Sequence, residues 1–433
     1  MPMFAGGVHP PDKKELSSSK QVTPLKAPAR AVVLLRQHIG APAKASVSIG
    51  DEVKIGTVIG TPEGFVSAPV HSPVSGKVIA VGEFDTAMGR PGEAVVIEND
   101  GKEEWIELIE TASFMELTPE QIKEKIKAAG IVGMGGATFP TAVKLSPPKE
   151  KTVDVVIING AECEPYLTAD HRLMVEKPDE IVSGLRLIMR ALGVKKGYVG
   201  IEENKPDAIE KMKEAARPFP EVKVISMEVK YPQGAEKMLI KAVTGREVPP
   251  RALPMDVGAV VQNVGTTYAV YEAVRYGKPL VERVVTVTGE GIREPKNLMV
   301  RVGTLVTDLV NACGGFSVEA AKVISGGPMM GFALGHLNVP VTKGTSGILV
   351  LPEEGLFHAD DFKPCIRCSR CVDVCPMGLN PGYLSVLAEK GHFEDAKSNN
   401  LFDCFECGSC AFVCPSKRPI VQLVRLAKSM VKP

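Results

Sequence analysis

Eight cysteines near the carboxyl end of the chain form two copies of one spacing, each followed by proline. The copies are Cys365, Cys368, Cys371 and Cys375, then Cys404, Cys407, Cys410 and Cys414. A turn with this spacing supplies three thiolates to a cubane [4Fe–4S] cluster, and in two-cluster ferredoxins the fourth cysteine binds the other cluster. We therefore predict one cluster on Cys365, Cys368, Cys371 and Cys414, and another on Cys404, Cys407, Cys410 and Cys375.

A zinc ribbon is the alternative for these thiols. Structural zinc takes four ligands from two C-x2-C pairs, which leaves the third cysteine of each copy without a role. Between the copies, Tyr383, Leu384 and Leu387 recur at helical spacing, and residues 420–430 are amphipathic. We predict a helical two-cluster ferredoxin over residues 362–433, which would transfer single electrons.

A glycine-rich segment, GIVGMGGATFPT, begins at Gly130. It follows a helix that Thr118 is expected to cap, whereas the dinucleotide fingerprint follows a strand. Its glycines still allow the backbone to approach a phosphate or a ring closely. Phe139 could stack on a ring and Lys144 could pair with a phosphate. A tight structural turn is the alternative interpretation.

Two carboxylates follow a continuous apolar strand predicted at residues 153–158. In open α/β sheets, ligands bind beyond the carboxyl ends of strands, so Glu162 and Glu164 are candidates for hydrogen bonds to a cofactor. A solvated loop is the alternative. Cys163, between them, is expected to be a small packing residue rather than a redox thiol.

The elements around these motifs change along the chain. Residues 1–29 are polar and proline-rich and predict a loosely packed arm, and residues 30–100 predict short β-strands separated by glycine turns. Residues 153–227 alternate strand and helix, which indicates a parallel α/β sheet. Residues 282–331 predict a small α+β module with Cys313 in its core, and residues 332–360 predict a hairpin and linker.

Composition excludes several classes of protein. Lys and Arg together number 51, as do Asp and Glu, so the basic excess typical of a nucleic-acid-binding protein is missing. No apolar run reaches the roughly 18–20 residues that span a bilayer. The amino terminus lacks the apolar region of a signal peptide. We expect a protein in a reducing compartment, with any membrane association made through partners or a surface; the resemblance described below implies a peripheral position at the cytoplasmic face of the membrane.

Two segments resemble known small domains. SVSIGDEVKIGTVIG followed by SAPVHSPVSGKVIAVG resembles biotinyl and lipoyl barrel-sandwich domains, which present a modified lysine at a hairpin tip. The corresponding stretch here, GFVSAPVHSPVSG, has no lysine, so we predict a docking or packing module. The segment 282–331 is similar to the β-grasp domains called SLBB.

Four further motifs make the resemblance specific: GIVGMGGATFPTAVKL, INGAECEPYLTADHR, YPQGAEKML and VVQNVGTTYAV. In this order they resemble the FMN- and NADH-binding subunit of respiratory complex I and, more closely, the RnfC subunit of the Rnf electron-transport complexes. The resemblance covers essentially the whole chain. It implies a multidomain α/β and β protein with these parts: an arm at 1–29, a barrel-sandwich hybrid at 30–112, an FMN/NADH-binding α/β domain at 113–280, an SLBB domain at 281–335, a linker at 336–361 and the ferredoxin at 362–433.

The same resemblance implies roles for single residues. The FMN and nucleotide site would be lined by Gly133, Gly135, Gly136 and Ala137. Phe139 would stack on the adenine of NADH, and Lys144 would reach the FMN phosphate. The isoalloxazine would lie near Asn159 and Glu162, and the nicotinamide near Glu164, with Glu162 and Glu164 as the catalytic residues. Tyr231, Gly234 and Glu236 would close the nucleotide pocket, while Asn263 and Thr266 would hold the phosphate end.

The chain departs from the complex I pattern at two acidic positions, now Ala161 and Ala235. The site therefore has fewer acidic residues, which affects the expected nucleotide contacts more than the flavin fold. The implied cofactors are FMN, NAD(H) and two [4Fe–4S] clusters. The implied partners are the other subunits of an Rnf-type complex, including integral membrane and iron–sulfur subunits, and ferredoxin indirectly.

Three functions are compatible with these features. The first is a subunit of a ferredoxin:NAD+ oxidoreductase, with hydride passing between NAD(H) and FMN and single electrons passing through the clusters. The second is a cobalamin reductase built from similar modules, although there the barrel-sandwich segment is expected after the flavin domain, not before it. The third is a non-catalytic electron-wiring scaffold.

Overall fold

The computed structural model describes residues 4–354, 356 and 361–432. Within those ranges, four β-sheets alternate with helical segments, and the predicted multidomain α/β and β architecture is confirmed. No helix in the described part of the chain is both long and apolar enough to cross a membrane.

A sandwich of two antiparallel sheets forms the amino-terminal domain. Strand β1 (Val22–Pro24) joins a later sheet, and the sandwich comprises β2 (Arg30–Leu34), β3 (Lys44–Ala45), β4 (Glu52–Val53), β5 (Val58–Thr61), β6 (Val70–His71), β7 (Gly76–Phe84) and β8 (Gly92–Asn99). The sheet orders are β2–β8–β7–β4 and β3–β5–β6. Val33, Ile59 and Val95 are fully buried between the sheets. The predicted barrel-sandwich hybrid is confirmed.

A parallel sheet covered by helices forms the central domain. Its elements are α1 (Pro119–Ala128), α2 (Thr141–Lys144), β9 (Val155–Gly160), α3 (Ala169–Glu176), α4 (Pro178–Leu192), β10 (Gly197–Glu202), α5 (Pro206–Ala216), β11 (Val222–Met227), α6 (Glu236–Thr244), β12 (Ala259–Asn263) and α7 (Val264–Tyr276). The sheet order is β11–β10–β9–β12. Because β9 pairs on both sides, its side chains are almost all buried, which explains its apolar run. Thr118 caps α1 through a capping box with Gln121, as predicted.

A six-stranded sheet follows, with the order β1–β14–β13–β17–β15–β16. Its further elements are β13 (Glu282–Thr288), β14 (Lys296–Arg301), α8 (Val306–Ala312), β15 (Ala320–Ser325), β16 (Phe332–Ala333) and β17 (Gly347–Pro352). Cys313 is fully buried, as expected for a core residue.

Two expected boundaries differ from the structure at this sheet. The segment predicted as a loose arm contributes β1, which pairs in parallel with β14. The segment predicted as a linker contributes β17, which pairs with β13 on one side and β15 on the other. Long-range backbone pairing, which local composition does not reveal, recruits both segments into the sheet.

Short helices build the carboxyl-terminal domain, as predicted for a helical ferredoxin. They are α9 (Arg370–Asp373), α10 (Pro381–Glu389), α11 (Phe393–Ser398), α12 (Ser409–Phe412) and α13 (Ile420–Met430). Leu384 of α10 packs with Val424 and Ala427 of α13 in one buried cluster.

The barrel-sandwich domain contacts the central domain through the segment where the lysine-bearing domains carry their modified residue. The Nζ atom of Lys343 donates to the carbonyl oxygens of Pro69 at 2.9 Å and Gly130 at 2.8 Å. Lys343 is almost fully buried, and burial lowers its pKa to about 7. Burial also lowers the pKa of the neighbouring His71 to about 3. These contacts agree with the predicted packing role of this domain.

Candidate functional site

The glycine loop lies at the carboxyl edge of the parallel sheet. A hydrogen bond of 2.9 Å from the Gly133 N–H to the Phe139 carbonyl closes the loop. A Cβ atom placed on Gly135 would lie 3.3 Å from Nδ2 of Asn263, the last residue of β12. The loop therefore crosses the end of that strand, where α/β sheets bind ligands.

The tip of this loop offers free backbone donors. Gly135, Gly136 and Ala137 are exposed, and Gly136 has a left-handed φ of 78°. Among the described residues, no acceptor bonds the N–H groups of these three residues. Consecutive unbonded N–H groups form a concavity that suits an anionic group such as a phosphate. The loop therefore fits the predicted cofactor site.

Thr266 fixes the base of the loop rather than lining its surface. Its side chain is fully buried; Oγ1 accepts from the Met134 N–H at 2.8 Å and donates to the Val132 carbonyl at 3.3 Å. These bonds give Thr266 a positioning role, and its direct contact with a phosphate stays a prediction. The motif placed Thr266 at the site but did not indicate the direction of its hydroxyl.

Asn263 is engaged inside the protein as well. Its Oδ1 caps α7 by accepting from the Gly265 N–H at 2.8 Å, and its Nδ2 donates to Asp170 at 2.6 Å. Asn263 thus links α7 to Asp170, and its contact with a phosphate stays a prediction. Burial, and then the negative charge of Glu162, raise the pKa of Asp170. The sequence patterns did not single out Asp170, although it lies within the motif INGAECEPYLTADHR.

Glu162 supports the first turn of α3. Its own backbone is left-handed, with φ of 44°, and its carboxylate accepts from the N–H groups of Asp170 at 2.7 Å and His171 at 3.1 Å. A carboxylate in this position satisfies donors that the helix leaves unbonded. The geometry therefore gives Glu162 a positioning role beside the predicted isoalloxazine position.

Glu164 points toward the SLBB domain. Its two carboxylate oxygens accept from the N–H groups of Met329 at 3.0 Å and Met330 at 2.8 Å. Burial raises the pKa of Glu164 to about 7. Both oxygens hold this backbone turn, so Glu164 makes an interdomain contact. The nicotinamide contact of Glu164 stays a prediction.

The amino-terminal segment locks the loop that carries both glutamates. The Nζ atom of Lys14 donates to the carbonyl oxygens of Glu162 at 2.9 Å, Glu164 at 3.0 Å and Leu167 at 2.6 Å. Lys14 is buried, and burial lowers its pKa. The amino-terminal segment, predicted as a loose arm, is therefore packed against the central domain. Its polar composition did not indicate this contact.

A second wall of the site comes from α2 and the start of α6. Lys144 pairs with Glu236 at 2.6 Å, and both side chains are partly exposed. Asn159 donates to the Gly234 carbonyl at 2.8 Å, which joins the end of β9 to the loop before α6. These predicted residues are brought together, and Lys144 and Glu236 reach the surface where a ligand could bind.

The structure explains one of the two departures from the complex I pattern. Ala161 is fully buried in the core beside Leu239, a place where a carboxylate would lack solvent. Ala235 precedes α6 as its N-cap.

Cys163 accepts from the Gly234 N–H at 3.3 Å, and burial raises the pKa of its thiol, which favours the predicted packing role.

Tyr231 lies at the junction with the ferredoxin domain. Its hydroxyl donates to the Cys407 carbonyl at 2.6 Å, and the ring packs with Val8 in a small apolar cluster. The buried side chain therefore faces a cysteine loop, and the role of Tyr231 in closing the nucleotide pocket stays a prediction. The same cluster contains Met329, next to the turn that Glu164 holds.

The first three cysteines of the second copy surround one cavity together with the last cysteine of the first copy. The cavity is lined by Cys375, Cys404, Cys407 and Cys410. In the other group, burial raises the pKa of Cys371, and the neighbouring Cys414 and Cys365 raise it further. Within the described residues, no three His, Cys, Asp or Glu side chains are gathered tightly enough for one metal ion. Four thiols around a cavity fit a cubane cluster, and their grouping agrees with the crossed assignment.

Family models match each part of the chain. Residues 2–102 match the RnfC barrel sandwich hybrid domain, and residues 126–272 match the Nuo51 FMN-binding domain. Residues 284–333 match the SLBB domain, and residues 363–418 match a 4Fe-4S dicluster domain. Fold and motifs together define a multidomain flavin and iron–sulfur protein.

Curated relatives identify the family. The chain is 52% identical to the C subunit of the proton-translocating ferredoxin:NAD(+) oxidoreductase complex of Clostridium ljungdahlii, over 98% of this chain and 93% of the relative. It is 47% identical to the Na(+)-translocating counterpart of Acetobacterium woodii, over 98% of this chain and 96% of the relative. The chain therefore belongs to the RnfC family, the C subunits of the Rnf-type ion-translocating oxidoreductase complexes.

Solved structures support the fold alone. An NAD+-reducing [NiFe]-hydrogenase in the H2-reduced state aligns with a TM-score of 0.52 and 19% identity over 74% of this chain. The match spans 64% of that hydrogenase chain, which is less than two thirds of its length.

Proposed function

We propose that this chain is the subunit of an Rnf-type complex that exchanges hydride between NAD(H) and a bound FMN and passes single electrons through two [4Fe–4S] clusters. FMN suits this position because flavins exchange two electrons as hydride and single electrons with metal centres. The chain would act at the cytoplasmic face of the membrane with integral membrane and iron–sulfur subunits. The names of its relatives, which are C subunits of ion-translocating complexes, support the presence of further subunits.

One observation carries the proposal: the α/β domain holds a cysteine loop directly. The Tyr231 hydroxyl and the Cys407 carbonyl are 2.6 Å apart, and Cys407 belongs to the cavity of the second cysteine copy. Tyr231 follows β11, at the same sheet edge as the glycine loop. A cluster on this loop would therefore be the natural neighbour of a cofactor held by the α/β domain.

The residues proposed to contact FMN are those with free donors or exposed surface. The N–H groups of Gly135, Gly136 and Ala137 would bind the phosphate, and Lys144 would share its charge between the phosphate and Glu236. Phe139 remains the proposed stacking partner for the adenine of NADH. Gly133, Asn159, Glu162, Gly234, Asn263 and Thr266 would shape the site through their internal hydrogen bonds.

The scaffold function has one observation in its favour. Glu162, Glu164 and Asn263, which the resemblance assigned to cofactor contacts, all bond to other parts of the chain. If the chain is a scaffold, the α/β domain would only bind neighbouring subunits, and the purified protein would bind no flavin.

NADH-driven reduction of ferricyanide by the purified, cluster-reconstituted chain tests the proposal. We expect activity after loading with FMN and none without FMN. Retention of about one FMN per chain without NADH oxidation would favour a flavoprotein with another donor. Failure to bind FMN would support the scaffold.

A further inference from the structure

The two cysteine copies fold alike, so they can be compared residue by residue. Arg367 and Glu406 occupy equivalent positions, each two residues after the first cysteine. Each has a left-handed backbone, with φ of 57° and 63°, and each donates its N–H to the thiol of that first cysteine at 3.4 Å. Differences between the two loops therefore come from their side chains and surroundings.

The loop of the second copy is covered. Cys407 is 9% exposed and its carbonyl oxygen bonds to Tyr231. A Cβ atom on Gly408 would lie 2.7 Å from the Met329 carbonyl oxygen, so the SLBB domain touches this loop closely. Phe405 packs into the same apolar cluster. The α/β and SLBB domains together cover this loop.

The loop of the first copy is exposed to solvent. Residues 366–370, equivalent to 405–409, are all exposed, including the ligand Cys368. Ile366, which corresponds to Phe405, is 66% exposed. A cluster bound to Cys368 would therefore lie next to the molecular surface, while its counterpart lies under the interdomain junction.

The exposed loop of the first copy is also positively charged. Lys363, Arg367 and Arg370 are exposed, and none forms an ion pair with another residue in the described ranges. Asp361 and Asp373 lie at the ends of the segment, outside the three basic positions. In the second copy, Glu406 instead accepts from Arg425 and Lys428, both at 2.8 Å. The two loops therefore differ in charge as well as in exposure.

We propose that the segment 363–370 is the docking surface for a protein that carries a one-electron redox centre beneath an acidic surface. Exposed positive charge steers an acidic partner, and an exposed apolar residue such as Ile366 supplies a contact that excludes water. One electron moves between the cluster at Cys368 and the partner's centre, so one is oxidised as the other is reduced, and no covalent bond changes. The electron supply rests on the proposed function above.

Charge reversal with two unrelated acceptors tests this surface. The full chain with reconstituted clusters is reduced with stoichiometric dithionite and mixed with oxidised plastocyanin, which is acidic, or with cytochrome c, which is basic. We expect Arg367→Glu/Arg370→Glu to slow plastocyanin reduction by about tenfold at low salt and to accelerate cytochrome c reduction. Salt should slow the wild-type reaction with plastocyanin.

A matched control changes the same net charge elsewhere. Lys44 and Lys213 are exposed and far from the segment in sequence, and neither forms an ion pair with another described residue. Lys44→Glu/Lys213→Glu should leave both rates within about twofold of wild type, because steering depends on where the charge lies. Equal effects of both pairs would overturn the proposal in favour of a net-charge effect.

The remaining outcomes are separable. Unchanged plastocyanin kinetics in Arg367→Glu/Arg370→Glu, with normal iron content, would overturn the docking surface. If that variant loses a cluster, Arg367→Gln/Arg370→Gln is measured instead, with a smaller slowing expected and an unchanged rate again overturning the proposal. Because dithionite supplies the electrons, a chain that NADH cannot reduce would contradict the proposed function while leaving this result intact.

Discussion

The Tyr231 hydroxyl donates a hydrogen bond of 2.6 Å to the carbonyl oxygen of Cys407, and both residues are buried. Tyr231 belongs to the α/β domain and Cys407 to the ferredoxin domain. Val8 of the amino-terminal segment pairs with Tyr231 in an isolated antiparallel bridge. Three parts of the chain are therefore joined at the place where electrons would pass between domains.

Removing the hydroxyl tests whether this junction serves electron transfer. Tyr231→Phe leaves a buried carbonyl without its donor, which costs about 1–3 kcal/mol and should loosen the Cys407 loop. We expect NADH to reduce the flavin at the wild-type rate and the clusters several-fold more slowly, in stopped-flow absorbance. Tyr383→Phe, on an exposed tyrosine of α10, is the control. Equal cluster rates in wild type and Tyr231→Phe would mean that the bond is only structural.

Glu164→Gln distinguishes an interdomain contact from a nicotinamide contact. The glutamine amide can accept from one of the two methionine N–H groups but presents a donor to the other, so one N–H group loses its acceptor. We expect normal NADH-driven flavin bleaching, slower cluster reduction and a lower unfolding temperature. A bleaching rate reduced by tenfold or more, with normal cluster kinetics, would indicate that Glu164 contacts the nicotinamide.

Cys375→Ser tests the crossed assignment of ligands. Cys375 lines the cavity of the second copy, so its loss should damage the cluster on Cys404, Cys407 and Cys410 and spare the other. Iron content and EPR of the dithionite-reduced protein measure this. Cys371→Ser, which removes a ligand of the first copy, is the comparison and should give the opposite pattern. Loss of the first cluster in Cys375→Ser would reverse the assignment.

Gly135→Val tests the glycine loop as the flavin site. The new Cβ would lie 3.3 Å from Nδ2 of Asn263, and its two branches would occupy the surface beside the free N–H groups. We expect FMN retention to fall at least tenfold. Gly82→Val in β7, where a Cβ meets nothing within 4 Å, is the control. Normal FMN stoichiometry in a folded Gly135→Val protein would make the loop an ordinary turn.

Lys343 gives the stability of the chain a defined pH dependence. Its pKa is lowered from 10.5 to about 7, so between these values the unfolded chain binds a proton that the folded chain does not. Stability should therefore rise with pH across this window, by up to about 1.4 kcal/mol per unit. Lys343→Met should lose this rise.

Urea unfolding of both proteins at pH 7 and pH 9 measures the effect, because other titrating groups cancel in the difference. The free energy of unfolding of the wild type, relative to that of Lys343→Met, should be higher at pH 9 than at pH 7. Parallel pH profiles for the two proteins would mean that Lys343 is charged when folded.

Local signals determined much of this protein from sequence. The cysteine spacing indicated the cluster ligands, the glycine-rich segment indicated the exposed loop, and Thr118 indicated the start of α1. Each of these features depends on residues a few positions apart, so spacing and turn chemistry suffice to reveal it. The order of the domains was likewise readable because each domain carries its own pattern of strands, helices or cysteines.

Only the tertiary structure decided where side chains point and which distant segments meet. Glu164, Thr266 and Tyr231 lie near the predicted site in sequence, yet each bonds to a partner more than one hundred residues away. Lys14 and Lys343 carry no local pattern, and their roles follow from carbonyl groups that folding brings around them. Burial makes such groups find partners wherever the fold supplies them, and that requirement acts across the whole chain rather than along it.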